Sequence, residues 1–109
     1  MILNKNNSKD LKEIFAIYRI CKVKLLALKK LRINDKLTKQ MITNYRNYVN
    51  YIDEILKNLT KNEQEFIKQV YLENCSIDET GYSVSGYYNK IKTVNELFSL
   101  YFDSQLCPL

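Results

Sequence analysis

At 109 residues, 46% of them hydrophobic, the chain is long enough for one domain whose core needs neither disulfide nor metal to hold it. It has 2 glycines, 1 proline near its end and no histidine, which argues against a sheet fold with tight turns, against a histidine general base and against a zinc site. The net charge of +5 is unevenly split, since residues 1–50 hold 12 Lys and Arg against 3 acids and residues 51–109 hold 5 against 9.

Ser8 is placed to cap a first helix running from about Lys9 to Arg32. Its seam, Leu11, Ile14, Tyr18, Cys21, Leu25 and Leu28, alternates three and four apart, and Phe15, Ile17, Ile20, Leu26 and Leu31 widen it. A turn follows at Asn34-Asp35, with Asp35 or Thr38 as the next cap. A second helix is expected over Leu37 to Asn58, with Ile42, Tyr45, Val49, Ile52, Leu56 and Leu59 in the same spacing. The short link makes residues 8–58 an antiparallel hairpin. Tyr48 and Tyr51 flank the seam as its half-buried edge, the alternative being a stacking surface for bases.

Thr60 and Glu63 have the spacing of a capping box and open a third helix that carries Phe66, Ile67, Val70 and Tyr71 up to Asn74. Between Ser76 and Gly81 only Ile77 to Thr80 intervene, so a helix there is truncated or absent. Gly81 suits a sharp exit by positive φ, and Ser83 can cap a last helix from Val84 to about Phe102. One side of that helix carries Val84, Tyr87 or Tyr88, Ile91, Val94, Phe98 and Tyr101 as core; the other carries Ser85, Gly86, Asn89, Lys90, Lys92 and Thr93. The expected fold is therefore a single all-α domain over 1–109, with the hairpin followed by a helix-turn-helix-like part at 59–102.

The run from Leu59 to Ile67, followed by Gly81-Tyr82-Ser83-Val84-Ser85-Gly86-Tyr87-Tyr88, resembles the C-terminal helix-turn-helix of sigma factors. It is also similar to small phage late-operon regulators and to small mollicute proteins with a serine-rich Tyr-Tyr helix. The resemblance covers less than half of the chain. It implies a DNA-binding, transcription-associated protein whose last helix enters the major groove. Ser83, Ser85, Asn89, Lys90, Lys92 and Thr93 would then face DNA, because Asn can pair with adenine and Ser, Thr and Lys can meet phosphates or base edges.

The basic run around the first turn, with Lys22, Lys29, Lys30, Arg32 and Lys36, would contact the phosphate backbone. The competing readings are a solvated face and a set of cations favoured by the helix dipole. A second function class stays open: a helical interaction module that docks on a protein such as RNA polymerase. An enzyme is not expected, since no glycine-rich phosphate loop or Cys-His or Ser-His partnership is present. Asp53-Glu54 and Asp78-Glu79 are adjacent acids, which diverge by about 100° on a helix. Cys21, Cys75 and Cys107 read as free thiols in a reducing cytosol, and no metal, cofactor, signal peptide or membrane span is expected.

Overall fold

The computed structural model describes residues 11–31, 35–103 and 106–108. The fold is all-α, with no strand among these residues. Helix α1 (Leu11–Leu31) and helix α2 (Lys36–Lys57) form the hairpin. Helix α3 (Lys61–Ile67) widens into a π-helical segment, Lys68–Leu72. The single turn α4 (Ile77–Thr80) and helix α5 (Val84–Tyr101) complete the chain. The expected Ser8 cap and the residues just after it lie outside the described residues.

Helices α1 and α2 run antiparallel: Tyr18 donates its hydroxyl to Asp53 Oδ1 at 2.6 Å, while further along α1 the Lys24 ammonium sits 5.3 Å from the ring of Tyr45, which comes earlier in α2. Asp35 is the cap of α2, accepting from the Thr38 amide at 2.8 Å and from its hydroxyl at 2.7 Å. Both bonds hold the Asp35 carboxyl below its ordinary range. The Thr60–Glu63 capping box is formed in both directions, at 3.2 and 2.9 Å.

The core lies at one end of the hairpin. Leu11, Ile14, Phe15, Ile17, Tyr18 and Cys21 of α1 are buried there against Tyr45, Tyr48, Val49, Ile52 and Ile55 of α2. Phe66 and Ile67 of α3, Val94 and Phe98 of α5, and Phe102 close it. Phe15 is its centre. Its ring meets Tyr18 at 5.7 Å, Tyr71 of the π segment at 5.9 Å and Phe98 of α5 at 5.5 Å, in the distance range where aromatic pairs attract beyond their burial.

Several sequence expectations are corrected. Ile20, Leu26 and Leu31 do not widen the buried seam; they are 43%, 62% and 63% exposed, because α3 to α5 cover only the other end of the hairpin. Tyr48 is no half-buried edge but is fully enclosed, with its hydroxyl donated to Ile14 O at 3.1 Å. That burial pushes its phenol upward, away from ionisation. Val84 and Tyr101, at the two ends of α5, are exposed rather than core.

The third helix is not regular up to Asn74. Glu73 N donates to Lys68 O at 2.9 Å and Cys75 N to Gln69 O at 2.8 Å, and Asn74 takes φ 54. Val70, Tyr71 and Leu72 of this wider turn are all partly buried and pack against the core.

Phe15→Ala should therefore cost about 3–5 kcal/mol, the range for emptying a large aromatic site in a core. Urea unfolding followed by circular dichroism measures it; a loss below about 1 kcal/mol would show that Phe15 does not tie these elements together.

Candidate nucleic-acid interface

The corner between α4 and α5 is built from three local interactions. Ser76 and Glu79 close a second capping box, with Glu79 N donating to Ser76 Oγ at 3.3 Å and Ser76 N to Glu79 Oε1 at 2.7 Å. These bonds to Ser76 hold the Glu79 carboxyl below its ordinary range. Gly81 then takes φ 80, a left-handed conformation that residues with a Cβ rarely adopt, and donates to Asp78 O at 3.2 Å. Ser83 caps α5 by accepting from Gly86 N at 3.1 Å.

Gly86 is thus in the first turn of α5 and not in a helix interior. A Cβ there would stand 2.9 Å from Ser83 Oγ, so the glycine leaves room for the capping hydroxyl. The corner is fastened to α3 by Phe66, whose ring meets Tyr82 at 5.1 Å and Tyr87 at 5.8 Å. This also decides the Tyr-Tyr pair: Tyr87 turns toward the core and Tyr88 is 59% exposed.

The six residues expected on the α5 side do not act as one set. Ser85, Asn89, Lys92 and Thr93 are exposed on the side opposite Val94 and Phe98. The Thr93 hydroxyl is turned back to Asn89 O at 3.0 Å, and Ser83 is occupied by its cap. Lys90 is half-buried and donates to Asn62 Oδ1 at 2.6 Å, joining α5 to α3. Exposed Glu96 shares the outer face with Lys92. Exposed Asp78 and Glu79 stand on the turn that precedes it.

Of the basic rim, Lys22, Lys29, Lys30 and Lys36 are exposed, and Arg32 lies outside the described residues. Lys22 stands 5.0 Å from the Tyr18 ring, within reach of its electron-rich face. Lys22, Lys29 and Arg46 border a cleft of about 440 Å³ whose apolar wall is Leu25, Leu26, Ile42 and Val49. Arg46 joins this group through the antiparallel pairing, although it lies 17 residues from Lys29 in the chain.

A second cleft, of about 610 Å³, opens between α1, the π segment, α4 and α5. Lys12 and Arg19, spaced two turns apart on α1, belong to it together with exposed Tyr88. Sequence reasoning had no place for this pair, because it sits on the face of α1 turned away from the seam. The only advance sign was their spacing of seven on one helix side.

Cys21 is buried, which pushes its thiol upward, while Cys75 and Cys107 are half-buried, and none of the three is in a disulfide. Among the described residues no three His, Cys, Asp or Glu side chains are grouped to hold a metal, and no helix is long and apolar enough to cross a membrane. Compared with protein-family models, curated proteins and solved structures, the chain matches none.

Ser83→Ala should cost roughly 1 kcal/mol by releasing the first-turn amides of α5, read from the urea midpoint. No change in midpoint would mean that the cap is not needed to start α5. The Glu79 capping box adds a pH signature. Because the folded carboxyl lies below its ordinary value of 4.5, its contribution is complete above that value and disappears as pH falls through the lowered one. Melting temperatures of wild type and Glu79→Gln should therefore differ at neutral pH and converge in acid; a constant gap would contradict the charged bond.

Proposed function

We propose that the chain is a small, non-enzymatic, DNA-binding protein of the cytoplasm, associated with transcription, that uses α4, the Gly81 corner and α5 as a reduced helix-turn-helix. The observation that carries this reading is the capped, solvent-facing start of α5. Gly81 and Ser83 set its angle, and Ser85, Asn89 and Lys92 stand outward within its first two to three turns. In this module the N-terminal part of the second helix contacts base edges. Asn89 would read a base, Ser85 and Lys92 would meet phosphates or base edges, and Thr93 would pack beside them.

Local charge alone does not draw α5 to DNA, because Glu96, Asp78 and Glu79 offset Lys92. The attraction comes from the hairpin, where Lys22, Lys29, Lys30 and Lys36 make no ion pair among the described residues. Phosphate neutralisation supplies most non-specific affinity, so these lysines would set the salt dependence and α5 the sequence preference.

A second reading, docking on a protein such as RNA polymerase, is favoured by one specific observation. The same end of the hairpin exposes Val23 (65%), Leu26 (62%), Leu31 (63%) and Leu37 (72%). Phosphates make no use of such surface, whereas a protein partner would cover it.

Duplex affinity measured by fluorescence anisotropy across a salt series tests the two. If DNA is the partner, affinity falls steeply with salt, and Lys29→Ala or Lys30→Ala each flattens the slope by about one phosphate contact. Asn89→Ala then shifts preference at one base pair by about 1–3 kcal/mol. Absence of duplex binding at low salt would eliminate the DNA reading and leave protein docking.

A further inference from the structure

The cleft between α1, the π segment and α5 lies apart from both the outward face of α5 and the hairpin end, and its lining has a distinct chemistry. Its volume of about 610 Å³ is in the range of small-ligand sites. Lys12 and Arg19 bring two positive charges to the α1 side, and among the described residues no carboxylate lines the cleft and neither cation makes an ion pair. Two cations facing one cavity without a counter-charge repel each other, and an anion between them removes that repulsion.

The opposite side is aromatic and polar. Tyr88 is 59% exposed and meets Tyr87 in a T-shaped pair at 5.2 Å and 89°, so part of its ring surface is open to a flat partner. Asn74 forms part of the wall in its left-handed conformation, at φ 54, with only Glu73 between it and the π-helical turn. Both features are irregular backbone, and irregular turns of this kind recur where a protein shapes a site. Asn74 is exposed and offers both amide donors and a carbonyl acceptor, whereas Asn95 is already engaged through Leu11 N at 3.3 Å and Ile91 O at 2.8 Å.

An anion-binding side facing an open aromatic ring and a free amide matches one ligand chemistry, a phosphate joined to a flat, hydrogen-bonding heterocycle. We infer that this cleft binds a nucleotide, with Lys12 and Arg19 on its phosphate, Tyr88 stacked on its base and Asn74 at the base edge. The nucleotide can be free or can be one unstacked residue of a single strand, since both present the same phosphate and base; a base inside a duplex keeps its faces covered and does not. The site is independent of the duplex reading, which uses Ser85, Asn89 and Lys92.

Calorimetric titration of the full chain provides the test, with ATP, GTP, CTP and UTP, inorganic triphosphate, and short single strands of uridine and adenosine. Nucleoside triphosphates should bind and inorganic triphosphate should bind more weakly, as it has nothing to stack. Arg19→Ala and Tyr88→Ala should each weaken binding by about tenfold, the order of one lost stacking or phosphate contact. Lys57→Ala, at the exposed end of α2 where it pairs with Glu54 at 3.3 Å, should leave it unchanged. Both substituted side chains of the site are exposed, and unchanged circular dichroism and melting temperature would show that these variants fold.

Tighter binding of a strand than of the matching triphosphate identifies the strand as the source; equal or weaker binding identifies the free nucleotide. Either result supports the site. Three results overturn it: no binding of any nucleotide or strand at millimolar concentration, binding unaffected by both variants, or inorganic triphosphate binding as tightly as the nucleotides. Failure here is separable from failure of the duplex reading, because Asn89→Ala should alter duplex preference without altering nucleotide affinity.

Discussion

The structure depends on Phe15, because its ring is where the three parts of the chain meet. One helix supplies it, the π segment lays Tyr71 across it at 18°, and α5 brings Phe98 against it at 61°. Around this centre the tyrosines do two tasks at once, filling space with their rings and satisfying backbone groups with their hydroxyls. Tyr48 does so at Ile14 O, and Tyr51 both donates to Tyr101 O and accepts from Asp103 N, each at 2.6 Å, which fastens the end of α5 to the hairpin. Among the described residues no buried side-chain polar atom is left without a partner, so this core gains rigidity without the cost of unpaired groups.

A core placed at one end has a consequence at the other. Helices of 21 and 22 residues are roughly 32 Å long, whereas α3 and α5 cover only part of that length. The uncovered part carries the lysines and most of the exposed large hydrophobic residues of α1 and α2 together. Its lysines oppose one another, and the C-terminal dipole of α1 offsets that repulsion only near Lys29 and Lys30. Hairpin stability at this end thus comes from Leu25, Leu28 and the Asp35 cap rather than from a closed core.

The parts that were legible in the sequence are those set by local chemistry. Asp35, Thr60 and Ser83 act as caps, Gly81 turns the chain by positive φ, and Leu11, Ile14, Tyr18 and Cys21 are buried in their seam. Periodicity reports which face of a helix is apolar; it does not report whether another element covers that face. Leu26 and Leu31 were misread for this reason, as were Val84 and Tyr101 where α5 extends past its neighbours. The π turn at Lys68–Leu72 leaves no mark in composition, since its residues Lys, Gln, Val, Tyr and Leu are equally compatible with a regular helix. Of the candidate site, Ser85, Asn89 and Lys92 could be read from helical spacing, but the bond from Lys90 to Asn62 joins residues 28 apart and exists only once α3 and α5 are packed.

The distribution of charge separates the surfaces by the kind of anion each can hold. On α5, Lys92 stands with Glu96 and near the carboxylates of α4, so a phosphate would gain little there, and in the proposed DNA reading selectivity would rest on the uncharged Ser85 and Asn89. At the hairpin end cations are many and open to solvent, which suits repeated phosphates bound weakly and screened readily by salt. In the cleft of α1 two cations, Lys12 and Arg19, are both exposed, so solvent screens their field and the shape of the cleft adds to what their charge provides. Two charges bordering a cleft suit a small anion, whereas a row of charges along the hairpin end suits an extended one. On the two proposed readings the same excess of positive charge would serve two ligands without making them interchangeable, because the shape of each surface, rather than its charge count, would decide which one it retains.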